Sequence, residues 1–179
     1  MKRKVDADSI GRTPLHYLAL NNQQNRNEEE YAKVFGVLAQ MYCREVDVLG
    51  DTSTMLAARS ENKVFITLMK ERENETSGKA EFKMLNKQGH SALMIASEQP
   101  QSPANQAIIE ILQTFEAAIQ SPLGESALMC ASRSNNVGAV EVLKKSELRL
   151  QTTSPLNGLP AGSTALMVAV QNSNDQCAE

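Results

Sequence analysis

The amino-acid sequence predicts an all-helical protein, built as a stack of about five helix–turn–helix repeats. Two patterns indicate this fold: a short motif that begins with glycine recurs along the chain, and apolar stripes with helical spacing follow its first four copies. A single helix pair cannot bury such a stripe alone, but stacked pairs can. With 41% hydrophobic and 22% charged residues among 179, the composition suits a folded protein with one core.

The recurring motif is a glycine, any residue, Thr or Ser, and then an apolar stretch that ends at or near an alanine. Its copies begin at Gly11, Gly50, Gly89, Gly124 and Gly162, so they are 39, 39, 35 and 38 residues apart. The glycine suits a turn that needs a positive φ angle. The hydroxyl residue two positions later can cap a helix, because its oxygen accepts a hydrogen bond from a backbone N–H group. The predicted caps are Thr13, Thr52, Ser91, Ser126 and Thr164.

A first helix is predicted after each cap, and a second helix follows in the first four repeats. Pro14 suits the first helical position, where a missing N–H group costs little. The leucines of the first helices can face the core: Leu15, Leu93, Leu128 and Leu166. Small residues near the ends of these helices let neighbours approach closely: Ala57, Ala96, Ala131 and Ala169. The apolar stripes of the second helices lie within 31–42, 64–69, 108–115 and 137–143.

The segment Gly11-Arg-Thr-Pro-Leu-His16 resembles the ankyrin repeat signature, and the other copies resemble its Gly-x-Thr/Ser-Ala-Leu-Met variant. The chain departs from the pattern at Thr54, where the motif has Leu, and keeps the usual histidine only as His16. The resemblance implies an all-α solenoid with finger-like turns, forming a single domain over 1–179. The repeats are expected at about 8–46, 47–85, 86–120, 121–158 and, incompletely, 159–179.

These repeats are longer than the roughly 33 residues of the family. Repeats one and three are expected to lengthen the link inside the helix pair, at 21–27 and 98–103, whereas repeats two and four lengthen the finger, over about 70–88 and 144–161. Drift in surface loops and duplication of a two-repeat unit both explain this alternation, and drift is favoured because such loops tolerate insertions. Few residues follow the first helix of repeat five. We therefore expect either that the chain is a fragment of a longer one or that its last repeat leaves an apolar edge exposed.

The sequence offers little for catalysis or for metal binding, and we predict no enzyme and no cofactor. Its two histidines and three cysteines form no close pair of the kind found in zinc motifs, and no glycine loop resembles a phosphate cradle. His16 is expected to tie one turn to the next, and His90 to face the solvent. Cys130 occupies a core-like position, where a buried and unreactive thiol is expected.

Charge and hydropathy limit the classes of partner. A net charge of −3 argues against direct binding of nucleic acid, and no apolar run approaches the roughly 20 residues that a membrane-spanning helix needs. Three widely spaced cysteines fit reduced thiols better than a disulfide framework. We therefore expect a soluble cytoplasmic protein that takes no small-molecule substrate and whose partner is another protein.

The function predicted from this resemblance is a protein–protein interaction scaffold or adaptor; a regulatory or targeting segment of a larger enzyme, such as a kinase, is the alternative. Ankyrin partners usually bind at the concave face and finger tips, through residues that flank the turn glycine and end the first helix. Carried over to this chain, those positions are Ile10, Arg12, Leu49, Asp51, Arg59, Lys87, His90, Leu123, Glu125 and Arg133.

Two subsets of these candidates carry further expectations. Arg12, Arg59 and Arg133 are the best anchors, because arginine is enriched at binding hot spots and its planar fork suits carboxylates. We expect Arg133 to be exposed, and a partner segment rich in Asp or Glu to bind the three arginines. The apolar residues at the tips either contact the partner or pack finger against finger.

Overall fold

A computed structural model describes residues 6–22, 27–76 and 81–178 of the chain. Within these ranges the backbone forms ten helices and no strand beyond two isolated bridges, so the all-helical prediction is confirmed. The helices are α1 (Pro14–Leu20), α2 (Glu28–Tyr42), α3 (Ser53–Arg59), α4 (Lys63–Thr76), α5 (Ala92–Glu98), α6 (Pro103–Glu116), α7 (Ala127–Arg133), α8 (Val137–Glu147), α9 (Ala165–Gln171) and α10 (Asp175–Ala178).

The helices stack in two layers. The first layer contains the first helix of every repeat, in the order α1, α3, α5, α7 and α9, and each packs against the next. The second layer contains α2, α4, α6, α8 and α10 in the same order. The hydrophobic core runs continuously between the layers, where Leu15, Leu93 and Leu128 are almost completely buried. The small residues at the ends of the first helices are fully buried as predicted: Ala57, Ala96, Ala131 and Ala169.

Leu166 is an exception, because its side chain is 51% exposed although it occupies the position of Leu93 and Leu128. The expectation that it faces the core is wrong. Helices α5 and α7, which carry Leu93 and Leu128, are each followed by a further first helix that packs against them, whereas α9 is the last helix of the first layer that the structure describes. The same position is therefore core or surface according to the neighbour, not according to the motif.

The turn that precedes each first helix has the predicted geometry. All five motif glycines have φ angles between 78° and 86°. The predicted hydroxyl residues occupy all five N-cap positions, and Thr52, Ser91 and Ser126 accept a hydrogen bond from the backbone N–H three residues later.

His16 links the first two turns, as expected. The backbone N–H of Thr13 donates to His16 Nδ1 at 3.1 Å, so the hydrogen-bond network assigns the ring proton to Nε2. Nε2 then donates to the carbonyl of Asp51 in the next repeat at 3.2 Å. Cys130 is also buried as expected, and burial raises the pKa of its thiol well above the usual value.

Three buried glutamates join successive repeats: Glu81, Glu116 and Glu147. Each carboxylate accepts one backbone N–H from the first helix of its own repeat and one from the linker of the repeat before. Glu147, for example, accepts from Leu128 N at 2.8 Å and from Ala118 N at 3.1 Å. Glu81 also accepts from the hydroxyl of Thr54 at 2.9 Å, which explains why Thr replaces the leucine of the motif there.

Asparagines at a fixed position make a second set of links between repeats. Asn62, Asn136 and Asn174 each lie twelve positions after a motif glycine. Each side-chain amide donates to carbonyls at or just after the end of the preceding first helix; Asn174 Nδ2, for example, lies 2.7 Å from the carbonyl of Ser132. Repeat three has no asparagine at this position, and its Asn105 donates to Ala96 of the same repeat at 3.0 Å.

The extra residues do not all lie where they are expected. Inner links of repeats one and three are longer than the three-residue links at 60–62 and 134–136, although 23–26 lie outside the described residues. Of the long finger expected over 70–88, residues 70–76 belong instead to α4, and residues 77–80 lie outside the described residues. The turn at 86–90 matches the other turns. After repeat four, the insertion is a hairpin at 153–161. Repeat five has a short inner link at 172–174, which weakens the case for a duplicated two-repeat unit.

Candidate partner-binding surface

Three of the predicted site residues form an exposed apolar row at the finger tips, which we call the tip row: Ile10, Leu49 and Leu123. Their side chains are 40%, 54% and 45% exposed, respectively. Each lies directly before a motif glycine, so the solenoid presents them at equivalent points. In repeat three the equivalent residue is Gln88, next to the exposed Lys87.

The fingers touch one another mainly through their backbones. Val48 N donates to the carbonyl of Ile10 at 2.9 Å, Lys87 N to Leu49 at 3.1 Å, and Thr153 N to Leu123 at 2.9 Å. Because the backbone makes these contacts, the tip-row side chains stay open to solvent. At the junction of repeats three and four the donor position is Pro122, which has no N–H group.

The first four turns are each held by a polar side chain three residues before the glycine. Asp47 Oδ1, for example, accepts from the backbone N–H groups of Leu49 at 2.8 Å and Asp51 at 3.0 Å. Asp8, Asn86 and Ser121 make the same pair of hydrogen bonds in their own repeats. The role of these four residues was not predicted from the sequence. Alignment of the repeats could have found them, because each lies three residues before a motif glycine.

Arg12 and Arg59 are ion-paired within the chain. Arg12 Nε lies 3.4 Å from Asp47 Oδ2, and Arg59 Nη1 lies 3.0 Å from Asp51 Oδ2. The second contact is an ion pair whose angles do not meet hydrogen-bond geometry. Asp51 is completely buried, and its Oδ1 accepts a hydrogen bond from Asn86 Nδ2 at 2.7 Å.

Four charged or titratable side chains of repeats three and four meet in one group, which we call the His90 cluster: His90, Glu98, Glu125 and Arg133. Arg133 pairs with Glu98 through one terminal nitrogen and with Glu125 through the other. His90 Nε2 lies 3.5 Å from Glu125 Oε2, and His90 Nδ1 lies 3.9 Å from Glu98 Oε2. Glu125 is almost completely buried.

The cluster corrects two expectations about exposure. Only 26% of the Arg133 side chain and 16% of the His90 side chain are exposed, so neither residue is a free surface group. The hydrogen bond with Glu125 raises the pKa of His90, although burial opposes this. Burial alone would raise the pKa of Glu125, but His90 and the positive charge of Arg133 lower it overall.

The described residues contain no group of three or more His, Cys, Asp or Glu side chains suited to hold a metal ion. In the same ranges of the chain, none of the helices has the length and apolar character needed to cross a membrane. On this surface, exposed apolar tips lie beside charged side chains that pair with one another.

A family model described as ankyrin repeats, with three copies, matches residues 101–179. The matched part of the chain, residues 101–179, therefore carries ankyrin repeats. The part before residue 101 has the same turn glycines, caps and layered helix pairs, so the ankyrin architecture extends through repeats one and two. A search of the curated proteins finds no match to the chain. Ankyrin repeats are generally protein–protein interaction modules and are typically not catalytic.

The ankyrin stack places the ten predicted site residues in three environments. The tip row and Lys87 are exposed, and Arg59 presents part of its guanidinium to solvent. In contrast, Asp51 and Glu125 lie inside the turns, where each holds an arginine. Arg12, His90 and Arg133 lie between these extremes, as half-buried members of ion pairs.

Proposed function

We propose that this chain is an interaction scaffold or adaptor that binds a partner protein through the concave face and finger tips of its ankyrin stack. The observation that carries the proposal is the tip row. Isolated exposed apolar residues are ordinary on protein surfaces. Here they recur at one position of the repeat, on fingers that backbone hydrogen bonds hold in register.

The charged residues of the surface support an apolar contact more than an acidic one. Arg12, Arg59 and Arg133 already face carboxylates of this chain. The ion pairs therefore remove the reason to expect a partner segment rich in Asp or Glu. We propose that the arginines shape the surface around the tip row, while the apolar tips supply the contact area.

Two further properties belong to the same proposal. We propose that residues 1–179 act as one domain, since the first-layer helices pack without interruption from α1 to α9. We also propose a cytoplasmic location and no catalytic activity. No disulfide joins the three cysteines, all of which lie in the described part of the chain, and this fits a reducing compartment.

The test compares two sets of exposed apolar residues. One variant carries Ile10→Ser, Leu49→Ser and Leu123→Ser in the tip row. The control variant carries Val34→Ser, Val37→Ser and Met41→Ser, which change equally exposed residues of α2 in the second layer. Both should melt close to wild type, because exposed substitutions cost little.

Partners are first identified by affinity purification with the wild-type chain and mass spectrometry, and their affinities for the variants are then measured. We expect the tip-row variant to lose at least about tenfold in affinity, since buried anchors at an interface are worth more than about 1 kcal/mol each. The control variant should bind as wild type does. Full affinity of a folded tip-row variant for every recovered partner would refute the proposal.

A further inference from the structure

The hairpin inserted after repeat four folds back towards the ends of the first-layer helices. Its two sides meet where Thr152 N donates to the carbonyl of Ser163 at 2.9 Å, and it turns at Asn157 and Gly158, both with positive φ. Gln171, the last residue of α9, donates from Nε2 to the carbonyl of Asn157 at 2.8 Å. This bond holds the tip of the hairpin against α9.

A cleft of about 200 Å³ lies between this hairpin and the ends of α7 and α9. Its walls contain the apolar side chains of Leu156, Leu159 and Val168. The ion pair of Arg133 with Glu125 lies inside the cleft. Three exposed amide side chains form its rim: Asn157, Gln171 and Asn172. Pockets for whole small molecules usually measure about 300–1,000 Å³. The cleft is therefore sized for one protein side chain.

The charges around the cleft decide which side chain suits it. Glu98 and Glu125 share a single guanidinium, that of Arg133, so the His90 cluster has one excess negative charge when His90 is neutral. A carboxylate from a partner would add a third anion beside one cation. A purely apolar side chain would bury this ion pair further without compensating its lost hydration.

A basic side chain satisfies both parts of the cleft. Its aliphatic stem can pack along Leu156, Leu159 and Val168, while its charged head approaches the carboxylate of Glu125 inside the cleft. The amides at the rim can hydrogen-bond the backbone on either side of such a residue. We propose that this cleft binds an arginine or lysine side chain from an extended segment of the partner protein. The inference rests on the proposed interaction function and names the chemistry of one contact.

The test uses short peptides and does not require the partner. The ¹⁵N-labelled full chain is titrated with Ac-Gly-Arg-Gly-NH₂, Ac-Gly-Leu-Gly-NH₂ and Ac-Gly-Glu-Gly-NH₂, and amide chemical shifts are followed by NMR. We expect the arginine peptide to shift Asn157, Gly158 and Gln171 in a saturable way. The leucine and glutamate peptides should bind at least about fivefold more weakly. Free arginine amide should also bind more weakly than the tripeptide, because it lacks the flanking peptide groups.

Charge variants at the rim sharpen the test. Asn157→Asp should tighten binding of the arginine peptide by about two- to fivefold, and Asn157→Lys should weaken it by a similar factor, since an exposed charge pair contributes modestly. Aspartate tolerates the left-handed backbone at this position. The matched control is Gln101→Glu in the groove between α6 and α8, which adds the same charge elsewhere and should change nothing.

Several results would overturn the proposal: shifts confined to other residues, no saturable binding of the arginine peptide, or equal binding of all three peptides. Free arginine that binds as tightly as the tripeptide would overturn the assignment to a protein segment. The tip-row experiment has a separate readout, namely affinity for whole partners. Failure of the cleft can therefore be distinguished from failure of the interaction function.

Discussion

Helices α7 and α9 are identical at four of their seven positions, yet α7 is almost entirely buried and α9 is largely exposed. In α7 the first six residues are buried, from Ala127 to Ser132. In α9, which begins with the same Ala-Leu-Met, only Ala165, Val168 and Ala169 are buried. The difference shows that in a solenoid the neighbouring repeat decides what a motif position contributes to stability.

The largest expected effect comes from a charge at the motif leucine. Leu128→Asp should lower the free energy of unfolding by at least about 3 kcal/mol, because it removes core packing and buries an unpaired carboxylate. Leu166→Asp should change it by less than about 0.5 kcal/mol, as for other exposed sites. Urea denaturation of both variants measures the difference, and similar midpoints would contradict the assigned packing.

Substitution of alanine for the motif glycine that precedes each helix is the second test of the comparison between α7 and α9. Gly124→Ala and Gly162→Ala both place alanine at a positive φ, which costs about 1–2 kcal/mol. At Gly124 the added Cβ would also collide with the backbone nitrogen of Thr153, whereas at Gly162 nothing lies within 4 Å.

Gly124→Ala should therefore be the more damaging of the two by about 1–3 kcal/mol. Thermal melting followed by circular dichroism is a suitable measurement. Equal losses in the two variants would mean that the chain at Thr152 and Thr153 does not pack against this turn.

The last residues of α7 and α9, Arg133 and Gln171, provide a third pair of variants. Arg133→Ala leaves the buried carboxylate of Glu125 without its main partner and should cost about 1–3 kcal/mol. Gln171→Ala removes one exposed hydrogen bond and should cost less than about 1 kcal/mol. The larger cost of Arg133→Ala depends on the charge of the two carboxylates. It should therefore be smaller when Arg133→Ala is made in the double variant Glu98→Gln, Glu125→Gln. A cost that persists in that background would show that packing, and not charge, is responsible.

The smallest expected effect is a dependence on pH at His90. Glu125 raises the pKa of His90 above its usual value of 6.5 in the folded state. Protonated His90 therefore adds stability that is complete below pH 6.5 and is lost as the pH rises through the higher folded pKa.

The stability difference between wild type and His90→Gln should accordingly fall by less than about 1 kcal/mol as the pH rises above 6.5. Ser163 occupies the equivalent position in repeat five, and the cost of Ser163→Ala should not vary over this range. Denaturant titrations at several pH values test both statements. A stability difference at His90 that grew with pH would contradict a raised pKa for this residue.

Features with a fixed distance from the motif glycine could be predicted from the sequence. The turns, the caps and the buried alanines all fall in this class. The buried glutamates could not be found in this way, because Glu81, Glu116 and Glu147 lie 31, 27 and 23 residues after their glycines. The second helices and linkers differ in length, so structurally equivalent carboxylates lose a common spacing.

The candidate surface was harder to predict than the fold, for a related reason. Whether an arginine is free depends on side chains from other repeats. Glu98 lies 35 residues before Arg133, and only the stacking of α5 on α7 brings the two together. For the apolar tips the sequence left open whether they pack finger against finger, and the backbone contacts between the fingers explain why their side chains are exposed.

The proline at the junction of repeats three and four has a mechanical consequence. At the other junctions, backbone hydrogen bonds join the fingers of neighbouring repeats and hold them at a fixed distance. At Pro122 this coupling is replaced by the contacts of His90 with Glu125 and of Arg133 with Glu98, whose strength falls as ionic strength rises. The packing of α5 on α7 and the hydrogen bonds of Glu147 also join these two repeats. Added salt should therefore weaken the contact between their fingers more than it weakens the fingers that backbone hydrogen bonds join.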